Sequence, residues 1–137
     1  SGILIQFPLY FGIMGIMSGT GLVEALSMAM VRLATPETFE LWTVLSAGIV
    51  NVFVPSGGGQ WAVQGPLLIR AALDLGVPLD RTILAMAYGD ELTNMLQPFW
   101  ALPLLGITGL AAKDILPYTV RFMTVGLAAC LFLTAIT

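Results

Sequence analysis

Charged residues are absent from two long stretches of the chain, and these stretches set the predicted pattern of elements. Residues 1–23 carry no Asp, Glu, Lys or Arg, and neither do residues 41–69. At about 1.5 Å per residue, the first stretch makes a helix about 35 Å long, which is enough to cross a bilayer. The predicted fold class is therefore an all-α membrane protein with transmembrane helices.

Glycine and proline interrupt the second uncharged stretch in its middle, at Pro55-Ser56-Gly57-Gly58-Gly59-Gln60. Three consecutive glycines beside a proline do not fit one straight spanning helix. Each flanking arm is too short to cross a bilayer alone, and apolar runs of that length are typical of re-entrant segments. We therefore expect a re-entrant helical hairpin over residues 37–69, with its tip at residues 55–60.

A later segment, residues 82–112, combines a polar stripe with helix-breaking prolines. If it is helical, Asp90, Thr93, Asn94 and Gln97 lie on one face, because they are spaced at i, i+3, i+4 and i+7. The prolines that follow free backbone carbonyls and should open the helix there. This segment is predicted to be a broken, discontinuous transmembrane helix. The other predicted elements are a transmembrane helix over 3–23, an interfacial or extended helix over 22–34, and a last transmembrane helix over 115–137.

Depth arithmetic places the hairpin tip and the polar stripe near the middle of the bilayer, so the two can meet. Helix N-terminal N–H groups suit an anion, whereas a carboxylate with freed carbonyls suits a cation. An acid inside a membrane is by default a functional candidate. The predicted substrate-binding residues are Ser56, Gly57, Gly58, Gly59, Gln60, Thr93 and Asn94. The candidates for a coupling ion or proton are Asp90, Asn51 and Asn94, and the second-tier residues are Trp61, Gln64, Glu91 and Gln97.

Composition removes several classes of function. The chain is 58% hydrophobic and 9% charged, with a mean hydropathy of +0.94, which does not fit a soluble globular domain or a disordered chain. Five Lys and Arg against eight Asp and Glu leave no basic footprint for nucleic acid. Without any histidine, and with Cys130 as the single cysteine, the chain offers no imidazole site and no internal disulfide. We expect no cofactor beyond a coupling Na⁺ or H⁺, no metal site, and a piece cut from a longer membrane protein.

Paired discontinuous helices that meet at mid-membrane are the recurrent binding site of secondary transporters. The residues alone therefore predict an ion-coupled carrier of a small anion, without choosing the anion. The alternatives are a carrier of dicarboxylates or amino acids, a channel, and, remotely, an intramembrane aspartyl protease. Protease chemistry needs two opposed carboxylates, whereas Glu91 projects about 100° away from Asp90 around the helix. No enzymatic activity is therefore expected.

Residues 51–66 (NVFVPSGGGQWAVQGP) and 88–103 (YGDELTNMLQPFWALP), with residues 6–10 (QFPLY), resemble the bacterial short-chain fatty acid transporters of the acetoacetate and butyrate permease type. The resemblance spans the chain and corresponds to the C-terminal part of a longer family member. It implies a permease for short-chain fatty acids such as butyrate or acetoacetate in the bacterial inner membrane, with several transmembrane passes.

A more distant similarity to the ion-transporter superfamily implies two inverted repeats, each with a hairpin and a broken helix, and elevator-like symport. By that similarity this chain is the second repeat. The substrate and ion ligands then carry over to residues 56–60 at the tip and to Asp90, Thr93 and Asn94 opposite. The implied partners are a small monocarboxylate anion, the lipid bilayer and the missing N-terminal repeat, and a homodimer is one option for the assembly.

Overall fold

Glycine and proline set most of the helix ends in this computed structural model, which describes residues 3–136. Ser1, Gly2 and Thr137 lie outside the described residues, as do the side chains of Gln6, Phe7 and Tyr10 from the predicted motif at residues 6–10. The described chain is all helical and contains no β-strand. Its helices are α1 (Ile3–Gly19), α2 (Leu22–Val31), α3 (Phe39–Phe53), α4 (Gly57–Leu75), α5 (Leu79–Asn94), α6 (Leu102–Thr108) and α7 (Ala112–Ile136), with a 3-10 turn at Pro98–Ala101 between α5 and α6.

The order of contacts along the helices gives their relative directions. Gln60 on α4 contacts Ala47 on α3, and Gln64, further along α4, contacts Ser46, so contacts that advance along α4 step back along α3. These two helices are therefore antiparallel. On α5, Arg81 reaches Glu40 at 3.5 Å, and the segment from Asp90 to Thr93 reaches Asn51, so α3 and α5 are parallel. The end of α3, the start of α4 and the end of α5 consequently lie together.

Two glycines allow α3 and α5 to approach at backbone distance. A Cβ built on Gly89 would overlap the carbonyl oxygen of Val44 and would lie 2.7 Å from the Cβ of Ala47. A Cβ built on Gly48 would lie 3.1 Å from the methyl carbon of Thr93. No side chain fits between the helices at this crossing, which fixes how the polar residues of α5 face α3.

Two clusters of buried apolar residues hold α4 against the helices α3 and α5. One cluster joins α3, α4 and α5 and includes Phe39, Leu68, Ala72 and Met86, all buried. The other cluster lies nearer the α3–α4 break and brings in α1 and α2 through Met17, Val23, Val50 and Val54. The break between α3 and α4 is therefore anchored in the packed part of the molecule.

By length and composition, the part of α7 from Ala112 to Leu133 is able to cross a membrane. A second candidate span consists of Phe11–Met17 and Leu22–Val31 together, which meet at an angle of 58°. The bend falls at Gly19-Thr20-Gly21, where Gly21 takes a left-handed conformation with φ 72°. Among the described residues, α3 is apolar but shorter than a span.

The segment predicted as a broken helix over 82–112 begins earlier than predicted. It is interrupted twice, after Asn94 and after Thr108. Helix α5 begins at Leu79, directly after Pro78, and ends at Asn94. The 3-10 turn begins at Pro98, and α6 ends where Gly109 takes a left-handed conformation with φ 71°. The proline ring cannot continue the helical hydrogen bonding of α5, which explains the first break.

Candidate functional site

Ser56 starts α4 as an N-cap residue. Its side-chain oxygen accepts a hydrogen bond from the N–H of Gly59 at 3.3 Å, and its carbonyl oxygen accepts one from the N–H of Gln60 at 2.7 Å. The helix therefore begins at Gly57, inside the stretch 55–60 that was predicted to be the tip of the hairpin. The capped serine explains the earlier start, because it stabilises a first helical turn made of glycine.

Gly57 and Gly58 are the exposed residues of this first turn. The first N–H groups of a helix have no partner inside the helix, and the helix dipole places roughly half a positive charge there. A Cβ built on Gly58 would have no neighbour within 4 Å among the described residues. The exposed N-terminal turn of α4 therefore lies at Gly57 and Gly58, within the tip predicted to bind an anion.

Gln60 and Gln64 do not face a ligand in this conformation. Both side chains are fully buried between α3 and α4. The amide of Gln60 donates to the carbonyl oxygen of Ala47 at 2.9 Å and to Oε1 of Gln64 at 2.8 Å, and Gln64 donates to Oγ of Ser46 at 2.7 Å. This amide ladder joins the two helices, and the role of Gln60 as a donor to substrate stays a prediction.

Asn51 connects the end of α3 to α5. Its buried side-chain amide donates to the carbonyl oxygen of Asp90 at 2.7 Å and to Oγ1 of Thr93 at 2.9 Å. The hydroxyl of Thr93 donates in turn to the carbonyl oxygen of Gly89 at 3.0 Å. Asn51 and Thr93 therefore hold the polar face of α5 against the tip, which differs from the direct substrate contact expected for Thr93.

Asp90 lies beside the first residue of α4. A Cβ built on Gly57 would be 3.2 Å from Oδ2 of Asp90, so only glycine leaves this carboxylate its present room. The same oxygen lies 3.5 Å from Nδ2 of Asn94. The other carboxylate oxygen, Oδ1, is buried and has no hydrogen-bond partner among the described residues. The structure thus brings the predicted acid and the glycine tip together.

The carbonyl oxygen of Asn94, expected to be freed by Pro98, has new donors in the structure. It accepts hydrogen bonds from the backbone N–H of Gln97 and from the indole Nε1 of Trp100, both at 3.0 Å. Gln97 is itself buried and donates through Nε2 to the carbonyl oxygen of Asn51 at 2.7 Å. Trp100 was not among the predicted site residues, although its place two residues after Pro98 is the signal that could have indicated it.

Three linked side chains each leave one buried oxygen without a donor among the described residues. These atoms are Oδ1 of Asn51, Oδ1 of Asp90 and Oε1 of Gln97. A buried acceptor without a donor costs about 1–3 kcal/mol. Oε1 of Gln60 is a fourth such atom, and each of the four is an acceptor that a hydrogen-bond donor or a cation satisfies and an anion does not.

Two cavities border the tip on its α5 side. One, of about 190 Å³, lies between α4 and α5 and includes Gly57, Trp61 and Asp90 in its wall. The other, of about 490 Å³, is lined by Pro55, Glu91, Asn94, Met95 and Trp100. Glu91 is exposed and faces this second cavity, so it does not oppose Asp90 as a protease dyad would require.

Comparison with known proteins finds one family along nearly the whole chain. The family model described as Short chain fatty acid transporter matches residues 1–136. Two curated relatives carry the name "Putative short-chain fatty acid transporter". The protein from Escherichia coli is 45% identical over 120 residues, which cover 88% of this chain and 27% of the relative. The protein from Haemophilus influenzae is 45% identical over 118 residues, which cover 86% of this chain and 26% of the relative.

The chain thus spans about a quarter of the length of these relatives. No solved structure matches it.

Proposed function

The chain belongs to the short-chain fatty acid transporter family, and we propose that it forms the C-terminal repeat of a secondary transporter that carries short monocarboxylates such as butyrate or acetoacetate. The family is one of transporters rather than enzymes. Helices α3 and α4 are the re-entrant hairpin, α5 and α6 are the broken helix, and the membrane is the bacterial inner membrane. An N-terminal repeat of inverted topology completes the transporter.

One observation carries this proposal: the exposed glycine turn of α4 lies beside the carboxylate of Asp90 at the polar end of α5. Gly57 and Gly58 present the positive end of a helix without any Cβ in the way. Asp90 and Asn94 lie opposite. A small carboxylate at the exposed side of this turn has N–H donors from α4, and the substrate-binding residues of this proposal are Ser56 to Gly59 and Asn94.

A monoanion suits this site better than a dicarboxylate. A second carboxylate needs another cationic partner, and the described residues 51–61 and 89–97 contain no Lys or Arg. The basic residue Arg81 pairs with Glu40 near the start of α5, away from Asp90. The N-terminal repeat is the one other source of such a partner.

Coupling to Na⁺ or H⁺ is supported by the three buried oxygens on Asn51, Asp90 and Gln97 that have no donor among the described residues. A second carboxylate beside Asp90 adds a like charge in a site of low dielectric, which disfavours both ionised forms together. Binding of the substrate anion together with one cation or proton removes this repulsion.

The experiment is a competition panel with the complete polypeptide that contains this sequence, reconstituted in lipid vesicles. Uptake of labelled butyrate should be saturable and inhibited by acetate, butyrate and acetoacetate, and only weakly by succinate. Protein-free vesicles are the control, because undissociated short acids cross lipid unaided. Strong inhibition by succinate, or the absence of saturable uptake, would contradict the proposal.

A further inference from the structure

The cavity between α4 and α5 has one polar end and one apolar end. It measures about 190 Å³ and is lined by Gly57, Trp61, Ile83, Met86, Ala87 and Asp90. We infer that this cavity holds the alkyl tail of the substrate and limits its length, with the carboxylate head at the first turn of α4. This inference rests on the proposed function and adds the residues that select the substrate.

The α5 wall of the cavity is one face of the helix. Ile83, Met86, Ala87 and Asp90 are spaced at i, i+3, i+4 and i+7, so the wall passes from a carboxylate to aliphatic side chains within two turns. At a rise of about 1.5 Å per residue, Met86 lies about 6 Å and Ile83 about 10 Å from Asp90 along the axis. The alkyl tail therefore points from the tip towards Ile83.

These distances match a short acid. An extended alkyl chain built from C–C bonds of about 1.5 Å advances about 1.3 Å per carbon. The methyl group of butyrate then lies about 4 Å from its carboxyl carbon, beside Ala87 and Met86, whereas an acid of about eight carbons would reach Ile83.

Trp61 of α4 forms the opposite wall of the cavity, and its indole packs against Gly65 one helical turn later. A Cβ built on Gly65 would lie 2.8 Å and 2.9 Å from indole carbons of Trp61, so the indole lies directly against the α4 backbone there. The indole forms the α4 wall of the cavity, and Ala87 is part of the α5 wall. Ala87 is small, and a longer side chain at this position would fill the middle of the cavity.

A larger apolar cavity between α3, α5 and α7 is a poorer candidate. Its volume is about 290 Å³, and its wall includes Val44, Ile49, Leu92 and Met123. It lacks both a carboxylate and an exposed helix N-terminus in its lining. A fatty acid placed there would have no donor for its head, whereas the α4–α5 cavity offers both ends of the ligand a fitting surface.

Affinity should rise with each methylene group that enters the cavity. Burial of one CH₂ group is worth about fourfold in an equilibrium constant. We expect the inhibition constants of straight-chain acids to fall about fourfold per carbon, and thus about fifteenfold from acetate to butyrate. Beyond the depth that the cavity admits, further carbons should bring no gain.

The test measures inhibition of labelled acetate uptake by acids of two to eight carbons, with the complete polypeptide in vesicles and protein-free vesicles subtracted. In Ala87→Leu, the leucine side chain occupies the place of the third and fourth carbons. Butyrate should then inhibit no better than acetate, while acetate uptake persists. In Ile83→Ala, which opens the far end, octanoate should gain several-fold, whereas hexanoate, whose methyl group ends near Met86, should not gain.

Leu84→Ala is the matched control, because Leu84 lies on α5 beside Ile83 but borders a different cavity. Its length profile should equal that of the wild type. If neither Ala87→Leu nor Ile83→Ala alters the profile while wild-type uptake is saturable, the inference is overturned and the proposed function stands. If the wild type shows no saturable uptake of any short acid, the proposed function itself fails. Ile83→Ala removes atoms from a half-exposed side chain and should fold. It therefore still tests the inference if Ala87→Leu does not fold.

Discussion

Gly89 is the closest backbone contact between α5 and α3, and replacing it with alanine should separate the two helices. The added methyl group would overlap the carbonyl oxygen of Val44 and lie 2.7 Å from the Cβ of Ala47 and 2.9 Å from the backbone nitrogen of Gly48. Two of these three neighbours are backbone atoms, which cannot turn away as the end of a flexible side chain can. The helices themselves must therefore move.

The free energy of unfolding changes through two opposing effects. Glycine in a helix interior costs about 0.5–1 kcal/mol relative to alanine, so Gly89→Ala gains that amount from helix propensity. Overpacking of a tight interior costs about 1–3 kcal/mol, and contacts with backbone place this site near the upper value. We expect a net loss of about 2 kcal/mol. Uptake should fall as well, because moving α5 lengthens the 2.7 Å bond between Asn51 and the carbonyl oxygen of Asp90.

The assay is the unfolding temperature of the complete polypeptide in detergent, read as the loss of the folded peak in size-exclusion chromatography after heating. Gly12→Ala is the control, because a Cβ on Gly12 has no neighbour within 4 Å among the described residues. This variant should unfold at the wild-type temperature or slightly above it. A Gly89→Ala protein that unfolds no earlier than the wild type would show that the α3–α5 contact is looser than described.

Two further substitutions test the tip and the acid. Gly58→Val should abolish saturable butyrate uptake while expression and membrane insertion persist, because the side chain has room in the fold but covers the exposed N–H groups; normal uptake would exclude the tip as the binding site. Asp90→Asn should change the Na⁺ or pH dependence of uptake, because Asp90 carries the carboxylate that faces Gly57. An unchanged dependence in vesicles with imposed ion gradients would remove Asp90 from coupling.

The position of the break between α3 and α4 could be predicted from sequence because Pro55 and the glycines interrupt an uncharged stretch. The start of α4 could not, since three glycines favour a loop by propensity alone. Capping by Ser56 and the burial of Leu68 and Ala72 against α3 and α5 outweigh that propensity. The contact of Gly89 with α3 also left no signal, because a single glycine within a helix indicates no particular neighbour.

The roles of the polar side chains were harder to predict than their positions. A polar residue inside a membrane segment is as well explained by a hydrogen bond to another helix as by a ligand, because both satisfy its polar atoms. Gln60, Gln64 and Asn51 are all fully buried and bonded across helices. Only the three-dimensional arrangement shows that these amides are buried and bonded within the protein, whereas Gly57 and Gly58 are exposed.

This division of roles has a consequence for selectivity. The buried amides hold α4 against α3 and the end of α3 against α5, and a preorganised site needs such support. In the proposed site, the substrate contacts backbone N–H groups and an apolar cavity. The N–H groups can donate hydrogen bonds to any carboxylate. Such a cavity discriminates by only about fourfold for each methylene group, whereas a site of buried polar side chains rejects wrong ligands far more strongly. We therefore expect a carrier that accepts several short monocarboxylates with graded affinity, and a transporter with more than a thousandfold preference for butyrate over propionate would contradict this arrangement.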